Sequence, residues 1–460
     1  MRQAPAQIDL AGWDQRYQQL TSQGLRQPGY GGPLRRHVER GDTRLLRLRF
    51  DNSAAALRLW NFLLSEEDRL RLAREQGQKI VGAMKDLGTV PVLAFAFPQI
   101  TAFYPDGAWW IPCVMEASQS TLALADAVGL DESFCPVRAM VGAFLNREHF
   151  PIPDLLVCSV GAVCDDFSAI AQRLEHLGHP VFWWEMPARR HPDPGEPAVV
   201  LPGGFTAPAE QVAQVHAELG RIKTTLEALA GHHLDDAELA AGIGRANRVR
   251  RILADLRRLA FTAPRAPMPA LEMLVAEMMA IHFCSDPAEV VTVLEELRAE
   301  AQRRVAQGVG MLGVDAVPVF WVNPVADLCT MNLLEEVGGR ICGTDYLFGH
   351  ALDEIPTQVA PLEALARTAL ADPMVGSTAD RAARIAADAR RFGARAVVIS
   401  RIPGASHCAF EGGIIGDELR RHLGVPVLEI EVPPITDALR PTLRTRLEAL
   451  VETARERSRA

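Results

Sequence analysis

Closely paired cysteines are missing from this 460-residue chain: its eight cysteines contain no CxxC and no tight disulfide-type spacing. With no charged-then-apolar leader in the first residues, reduced or metal-bound thiols in the cytoplasm are the expectation. Apolar runs long enough to cross a bilayer are absent too. The best stretches, Ile152 to Val163 and Ala396 to Ile399, are strand-sized, so no membrane partner is expected. Blocks of basic residues with interleaved aromatics do not occur, and a formal net charge of −9 argues against nucleic acid as a partner. Lysine is confined to Lys79, Lys85 and Lys223, with arginine carrying the remaining positive charge, an imbalance given no functional weight. Phosphate-cradling signatures are also lacking. Gly242-Ile243-Gly244 is no GxGxxG between strand and helix, and no GxxxxGK[ST] is found, which argues against nucleotide binding by this chain.

What is present is 48% apolar residues, enough for a large core divided among about two to four domains. Residues 1 to about 75 are polar, carry the loop signal Gln27-Pro28-Gly29-Tyr30-Gly31-Gly32-Pro33, and predict one amphipathic helix from Ala54 to Glu75. Short apolar runs then alternate with helical stretches: Val90 to Phe97, Asp154 to Val160 and Val181 to Glu185 read as strands. Between about 206 and 306 only helical spacing occurs, through Val212 to Leu229, Leu239 to Leu259, Leu271 to Ile281 and Val290 to Val305. The alternation returns with Val319 to Asn323, Arg340 to Thr344, Ala396 to Ile402 and Val427 to Val432, before a helix from about Thr436. The expected fold class is α/β, with two Rossmann-like parallel-sheet domains facing across a cleft, a helical insert and an N-terminal helical arm. The boundaries read as 1–78 for the arm, 79–205 for the first α/β domain, 206–310 for the helical segment and 311–460 for the second α/β domain. Val-Pro-Val openings at Val90, Val317 and Val425, with His179-Pro180-Val181 a weaker copy, hint at two similar halves.

Three cysteines stand where an open α/β fold gathers ligands. In Phe134-Cys135-Pro136-Val137-Arg138 the proline suits the first turn of a helix, with Cys135 at its N-cap. A thiolate there gains from the helix dipole. Cys164 falls in the turn that leaves the strand around Leu155 to Val160, and Cys408 in the loop Pro403 to Gly413 beyond the strand Ala396 to Ile402. Two facing halves could bring these thiols together, enough for a 4Fe-4S cluster with one iron left open. The competing reading is that each is a small buried hydrophobe, which is how reduced cysteine usually behaves. Cys158, Cys284 and Cys342 read as core, while Cys113 and Cys329 are held as reserve ligands. Zinc, suggested by His407 beside Cys408, fits poorly because structural zinc sites use short paired spacings. A Cys/His nucleophile pair ranks lower, since two carboxylates after Cys164 raise its thiol pKa.

At these residues the chain resembles the 2-hydroxyacyl-CoA dehydratase and benzoyl-CoA reductase family of iron-sulfur proteins. The resemblance covers most of residues 80 to 455. It rests on Phe134-Cys135-Pro136-Val137-Arg138, on Cys164-Asp165-Asp166 after an apolar strand, on Cys408 after Val397-Val398-Ile399, and on Arg444-Thr445-Arg446-Leu447-Glu448-Ala449. It implies Cys135, Cys164 and Cys408 as ligands of a 4Fe-4S cluster, or of a double-cubane cluster shared between subunits. It also implies an acyl-CoA thioester substrate, a homologous subunit in a homo- or heterodimer, and an ATP-dependent iron-sulfur activator that delivers a low-potential electron. In such dehydratases the electron makes a ketyl radical of the thioester, water leaves, and the electron is recycled. A benzoyl-CoA reductase-like or double-cubane reductase subunit and a non-catalytic docking partner are the alternatives. The approach to Cys408 is longer than usual for the family, and the N-terminal arm lies outside its shared core.

Among other polar residues, Glu116 could reach a substrate proton or act as a helix cap, and Arg138 could offset cluster or thioester charge or lie on a solvated helix face. Asp166 and Glu411 lie beside presumed ligands and could tune them. His149 and His350 are candidate bases. Trp183, Trp184 and Glu185 offer an aromatic floor for an acyl or aryl group, or core packing. Arg444 and Arg446 could clamp coenzyme A phosphates or sit on the exposed face of the last helix.

Overall fold

The computed structural model describes residues 4–25, 34–39, 43–85, 88–105, 121–434 and 436–457. Its frame is a pair of four-stranded sheets, parallel throughout. The first comprises β1 (Lys79–Met84), β2 (Ile100–Phe103), β3 (Leu155–Gly161) and β4 (Val181–Met186), in the order β2-β1-β3-β4. The second comprises β5 (Val317–Val322), β6 (Gly339–Asp345), β7 (Ala396–Arg401) and β8 (Val427–Glu431), in the order β6-β5-β7-β8. Counted within each half, the two orders are identical. These are two Rossmann-like parallel-sheet domains, and in such sheets the ligand crevice opens at the carboxyl ends of the first and third strands, where the order reverses.

The likeness of the halves reaches the backbone. Lys85 follows β1 with φ +73°, and Asn323 follows β5 with φ +70°; both are left-handed residues other than glycine. A chain leaving the first strand at the reversal point turns sharply in both halves, and each turn accepts the strain that a side chain bears in that region.

The run Val90 to Phe97 is not a strand. Residues Val90–Phe95 are helical, with Pro91 in the first turn, where its missing N–H costs nothing. Short apolar runs do not distinguish buried strand from buried helix by period alone. One of the two inner strands of this sheet is instead β1, whose residues from Ile80 onward are buried. The predicted helix Ala54 to Glu75 is two helices, Ala54–Leu64 and Glu66–Glu75, divided at Ser65. The Ser65 hydroxyl bonds back to the carbonyls of Asn61 and Phe62, competing with the helical ladder there.

The insert is formed by the helices Ala209–Ala230, Asp236–Thr262, Ala270–His282 and Pro287–Ala306, matching the four periodic stretches. It joins the halves: Arg250 donates to the Asp353 carbonyl at 2.6 Å and to that of Gly88 at 3.0 Å. The amino-terminal helices are bound to this block by buried polar contacts. Arg304 is clamped between Asp51, at 2.5 and 2.9 Å, and Glu300, at 2.7 Å. Trp60 Nε1 and the Asp51 amide each donate to Glu272 at 2.9 Å. Glu335 accepts from the Gln7 amide and the Ala270 N–H, both at 2.7 Å, and so ties the first described residues to the insert and to the helix Cys329–Glu336.

Burial pushes the Glu335 carboxyl up to about 7, against the two hydrogen bonds that favour its ionised form. Between the ordinary glutamate range and pH 7 the folded chain therefore holds a proton that the unfolded chain has lost. The stability from this group is complete at low pH and fades as pH rises through about 7, by at most about 3 kcal/mol. Thermal melts from pH 5 to 8 are expected to show a steeper fall for the native chain than for Glu335→Gln. Equal slopes would mean that Glu335 is already ionised when folded.

Candidate functional site

Each of the three cysteines is placed by the start of a helix. β3 ends at Gly161, whose φ of +94° brings its Cα so close to Met186 that a Cβ would lie 2.3 Å from the Met186 carbonyl oxygen. The turn passes through Val163 at φ +75°, and Cys164 is then the N-cap of the helix Asp165–His176. Cys135 precedes the 3-10 turn Pro136–Arg138, which runs into the helix Ala139–Asn146, as the proline predicted. Cys408 differs from the expectation. It is the third residue of the helix Ser406–Leu423, not part of a loop, because Ile402 to Ala405 already complete the turn after β7. The Cys408 side chain lies outside the described part of the structure.

These segments meet. Gly404, at φ +77°, packs so tightly on the chain ahead of Cys135 that a Cβ there would stand 2.5 Å from the Phe134 carbonyl oxygen and 2.9 Å from that of Glu132. The Asp166 carboxylate lies 3.3 Å from the Cys164 sulfur and accepts from the Ser406 N–H at 3.1 Å and its hydroxyl at 3.0 Å. Cys135 and Cys164 are both buried here, 7% and 8% exposed. Cys135 and Cys164 place soft sulfur at helix amino ends, whose partial positive charge favours thiolate, while the Asp166 carboxylate beside Cys164 works the other way. That chemistry suits iron-sulfur ligation. Among the described residues, no three or more His, Cys, Asp or Glu form a group that could hold a metal ion.

The remaining described cysteines belong to the core. Burial pushes the thiols of Cys158 and Cys342 up to about 12, and Cys284 well above its usual range. Cys329, held in reserve from the sequence, is buried at the start of the helix Cys329–Glu336. Burial first, then the Asp327 carboxylate, raises its thiol to about 12. Cys113 and Glu116 lie outside the described residues.

Arg138 is not on a solvated face. It is 7% exposed, with Nε 3.2 Å from Asp126 and Nη1 donating to the Phe134 carbonyl at 3.1 Å, so it clamps the peptide leading into Cys135. Glu411, one turn beyond Cys408, accepts from Arg381 at 2.6 Å and Thr378 at 2.7 Å. Arg381 also binds Asp345 and Asn323, each at 2.7 Å, which anchors the Cys408 helix to the carboxyl ends of β5 and β6. His350 is buried with Nδ1 3.6 Å from Asp372, whereas His149 lies on the amino-terminal side of β3. Trp184 is core; Trp183 donates to Glu175 at 3.1 Å, and Glu185 is exposed. Arg444 pairs with Glu336 at 3.3 Å and Arg446 donates to the Glu429 carbonyl at 2.6 Å, binding the last helix to its neighbours.

Sequence reasoning passed over Lys85. It is 2% exposed at the carboxyl end of β1, and its Nζ lies 3.1 Å from both the Gly161 carbonyl and the Ser168 hydroxyl. Its position after the first strand of an open sheet was the available signal, masked because that strand was not recognised.

The family model for the D-component of 2-hydroxyglutaryl-CoA dehydratase matches residues 92–454. The chain belongs to this family. No curated protein matches the sequence significantly. Membership makes the chain a component of a 2-hydroxyacyl-CoA dehydratase-type system that works with partner components. Both halves, the insert and all three cysteines fall inside the matched span, apart from β1 and Lys85. No described helix is long and apolar enough to cross a membrane.

The meeting of segments makes a test within the dehydratase fold. Gly404→Ala should destabilise the chain by about 1–3 kcal/mol, from positive φ and the collision with Phe134. Gly413→Ala, in the same helix as Cys408 with nothing within 4 Å, should be neutral or stabilising by up to about 1 kcal/mol. Denaturant unfolding of the two variants checks the contrast.

Proposed function

We propose that this chain is the iron-sulfur subunit of a 2-hydroxyacyl-CoA dehydratase-type enzyme, with Cys135, Cys164 and Cys408 as the ligands of a 4Fe-4S cluster. Its proposed substrate is a 2-hydroxyacyl-CoA thioester, and its proposed partners are a homologous subunit and an ATP-dependent iron-sulfur activator. The observation that carries the reading is the meeting of the three cysteine segments, through Gly404 on Phe134 and through Asp166 on Ser406, in a member of the dehydratase family.

A cluster held by Cys135, Cys164 and Cys408 would supply one electron at low potential to the thioester carbonyl, which would make the 2-hydroxyl a better leaving group. Overall, the 2-hydroxyl and one C3 proton would leave as water with no net redox change. The chain's own part is to set Cys135 and Cys164 ahead of helices and Cys408 in the first turn of the helix Ser406–Leu423, so that all three segments lie at helix amino ends. Asp166 fixes the turn of Cys164 to the helix of Cys408 across the two halves. Arg138 holds the Phe134 peptide, and Glu411 with Arg381 holds the other side.

Iron and acid-labile sulfide in anaerobically reconstituted protein test this directly. About four irons per chain are expected. They should be lost in Cys164→Ala and in Cys408→Ala but retained in Cys284→Ala. Protein that stays folded yet takes up no iron would overturn the reading and leave the thiols as core residues of a docking partner.

A further inference from the structure

Most buried cations in this molecule face a carboxylate. Arg304 has Asp51 and Glu300, and Arg381 has Asp345 and Glu411. Lys85 is different. Although 2% exposed, it contacts only a carbonyl and a hydroxyl, and among the described residues no carboxylate lies within ion-pairing distance. Taking an ammonium group out of water without a counter-ion is costly, so a site that keeps one needs negative charge from elsewhere.

The place of Lys85 shows where that charge would come from. Its Nζ holds Gly161 and Ser168, the residues either side of the turn that presents Cys164. Burial pushes the ammonium below the ordinary lysine range, while Cys158, Asp165 and Cys164 work the other way. Cys158 is pushed up to about 12, so the negative charge on this side of the ammonium is that of the Asp165 carboxylate, which opens the helix after Cys164. In the second half the residue after the first strand is the uncharged Asn323, and the nearby Arg381 is already matched by two carboxylates. Among the described residues the first half thus sets a buried ammonium beside the Cys164 turn with no carboxylate in ion-pairing distance, on a residue ahead of the span that the family model covers.

We propose that Lys85 supplies the positive charge that offsets the cluster held by Cys135, Cys164 and Cys408, and thereby raises its reduction potential. The proposal rests on the cluster reading above. Three thiolates around an iron-sulfur core leave a net negative charge that grows on reduction, so a fixed cation beside one ligand favours the reduced state. Lys85 is thus a positioning and tuning residue, with no contact to substrate invoked.

The test is a redox titration of the reconstituted full-length chain, followed by the spectrum of the cluster. Lys85→Met should keep its iron but show an oxidised-to-reduced ratio raised about tenfold at a fixed poise, a shift of about 59 mV to lower potential for a one-electron couple. Ser168→Ala, which removes one hydrogen bond and leaves the charge, should titrate like the native chain. Native potential in Lys85→Met would overturn the proposal, and so would an equal shift in Ser168→Ala, which would trace the effect to the turn. If Lys85→Met fails to fold, Lys85→Gln is judged by the same criterion. Failure of the native chain to take up iron is a separate result that removes the cluster reading itself.

Discussion

The Asp166 carboxylate receives the Ser406 N–H and hydroxyl from one half of the molecule while standing beside the Cys164 sulfur of the other. One oxygen, Oδ2, makes all three contacts. It holds the amino end of the helix Ser406–Leu423 against the amino end of Asp165–His176, two ends that carry like partial charge and would otherwise repel. A carboxylate between them converts repulsion into attraction. The neighbouring contact of Gly404 with Phe134 brings backbone against backbone where the approach to Cys408 meets the approach to Cys135.

Buried ion pairs hold the parts that surround this point. Arg44 reaches Asp327, which also accepts from the Thr436 N–H at 3.0 Å and hydroxyl at 2.6 Å, so the amino-terminal region, the helix Cys329–Glu336 and the approach to the last helix share one carboxylate. Arg189 donates to the Leu370 carbonyl at 2.6 Å and passes so close to Gly376 that a Cβ there would lie 2.1 Å from its Nη2. Such groups add little net stability when complete, because desolvation consumes much of the attraction. They are costly to break, and that cost fixes the halves in one arrangement.

Much of this was legible in the sequence where local chemistry and tertiary context agree. Cys135 before proline and Cys164 after an apolar strand sit where their neighbours placed them, and the four periodic stretches of the insert are four helices. The misreadings share a cause. Val90 to Phe97 has β-branched residues at both ends of Pro91, yet packs as a helix over β1 and β2, a choice made by contacts distant in sequence. Lys79 to Met84 has strand-forming Ile80 and Val81 but is cut short in pattern by Gly82 and Ala83, and it is a central strand where Gly82 lets Leu156 and Pro105 approach. Missing that strand also hid Lys85. Arg138 looked like a solvated residue because its partners lie outside its own helix, Asp126 in the preceding helix Thr121–Ala127 and the Phe134 carbonyl in the turn before Cys135.

The division of the cysteines between the halves has a consequence for how the molecule is made. Cys135 and Cys164 belong to the first sheet's connections, and Cys408 follows the third strand of the second sheet. Domains fold as units during synthesis, the amino-terminal one first. A nascent chain that has finished its first half and its insert therefore presents two of the three cysteine segments. The third joins them only after β7 has been synthesised and laid between β5 and β8, so the meeting of the three segments closes late, as one of the last acts of folding.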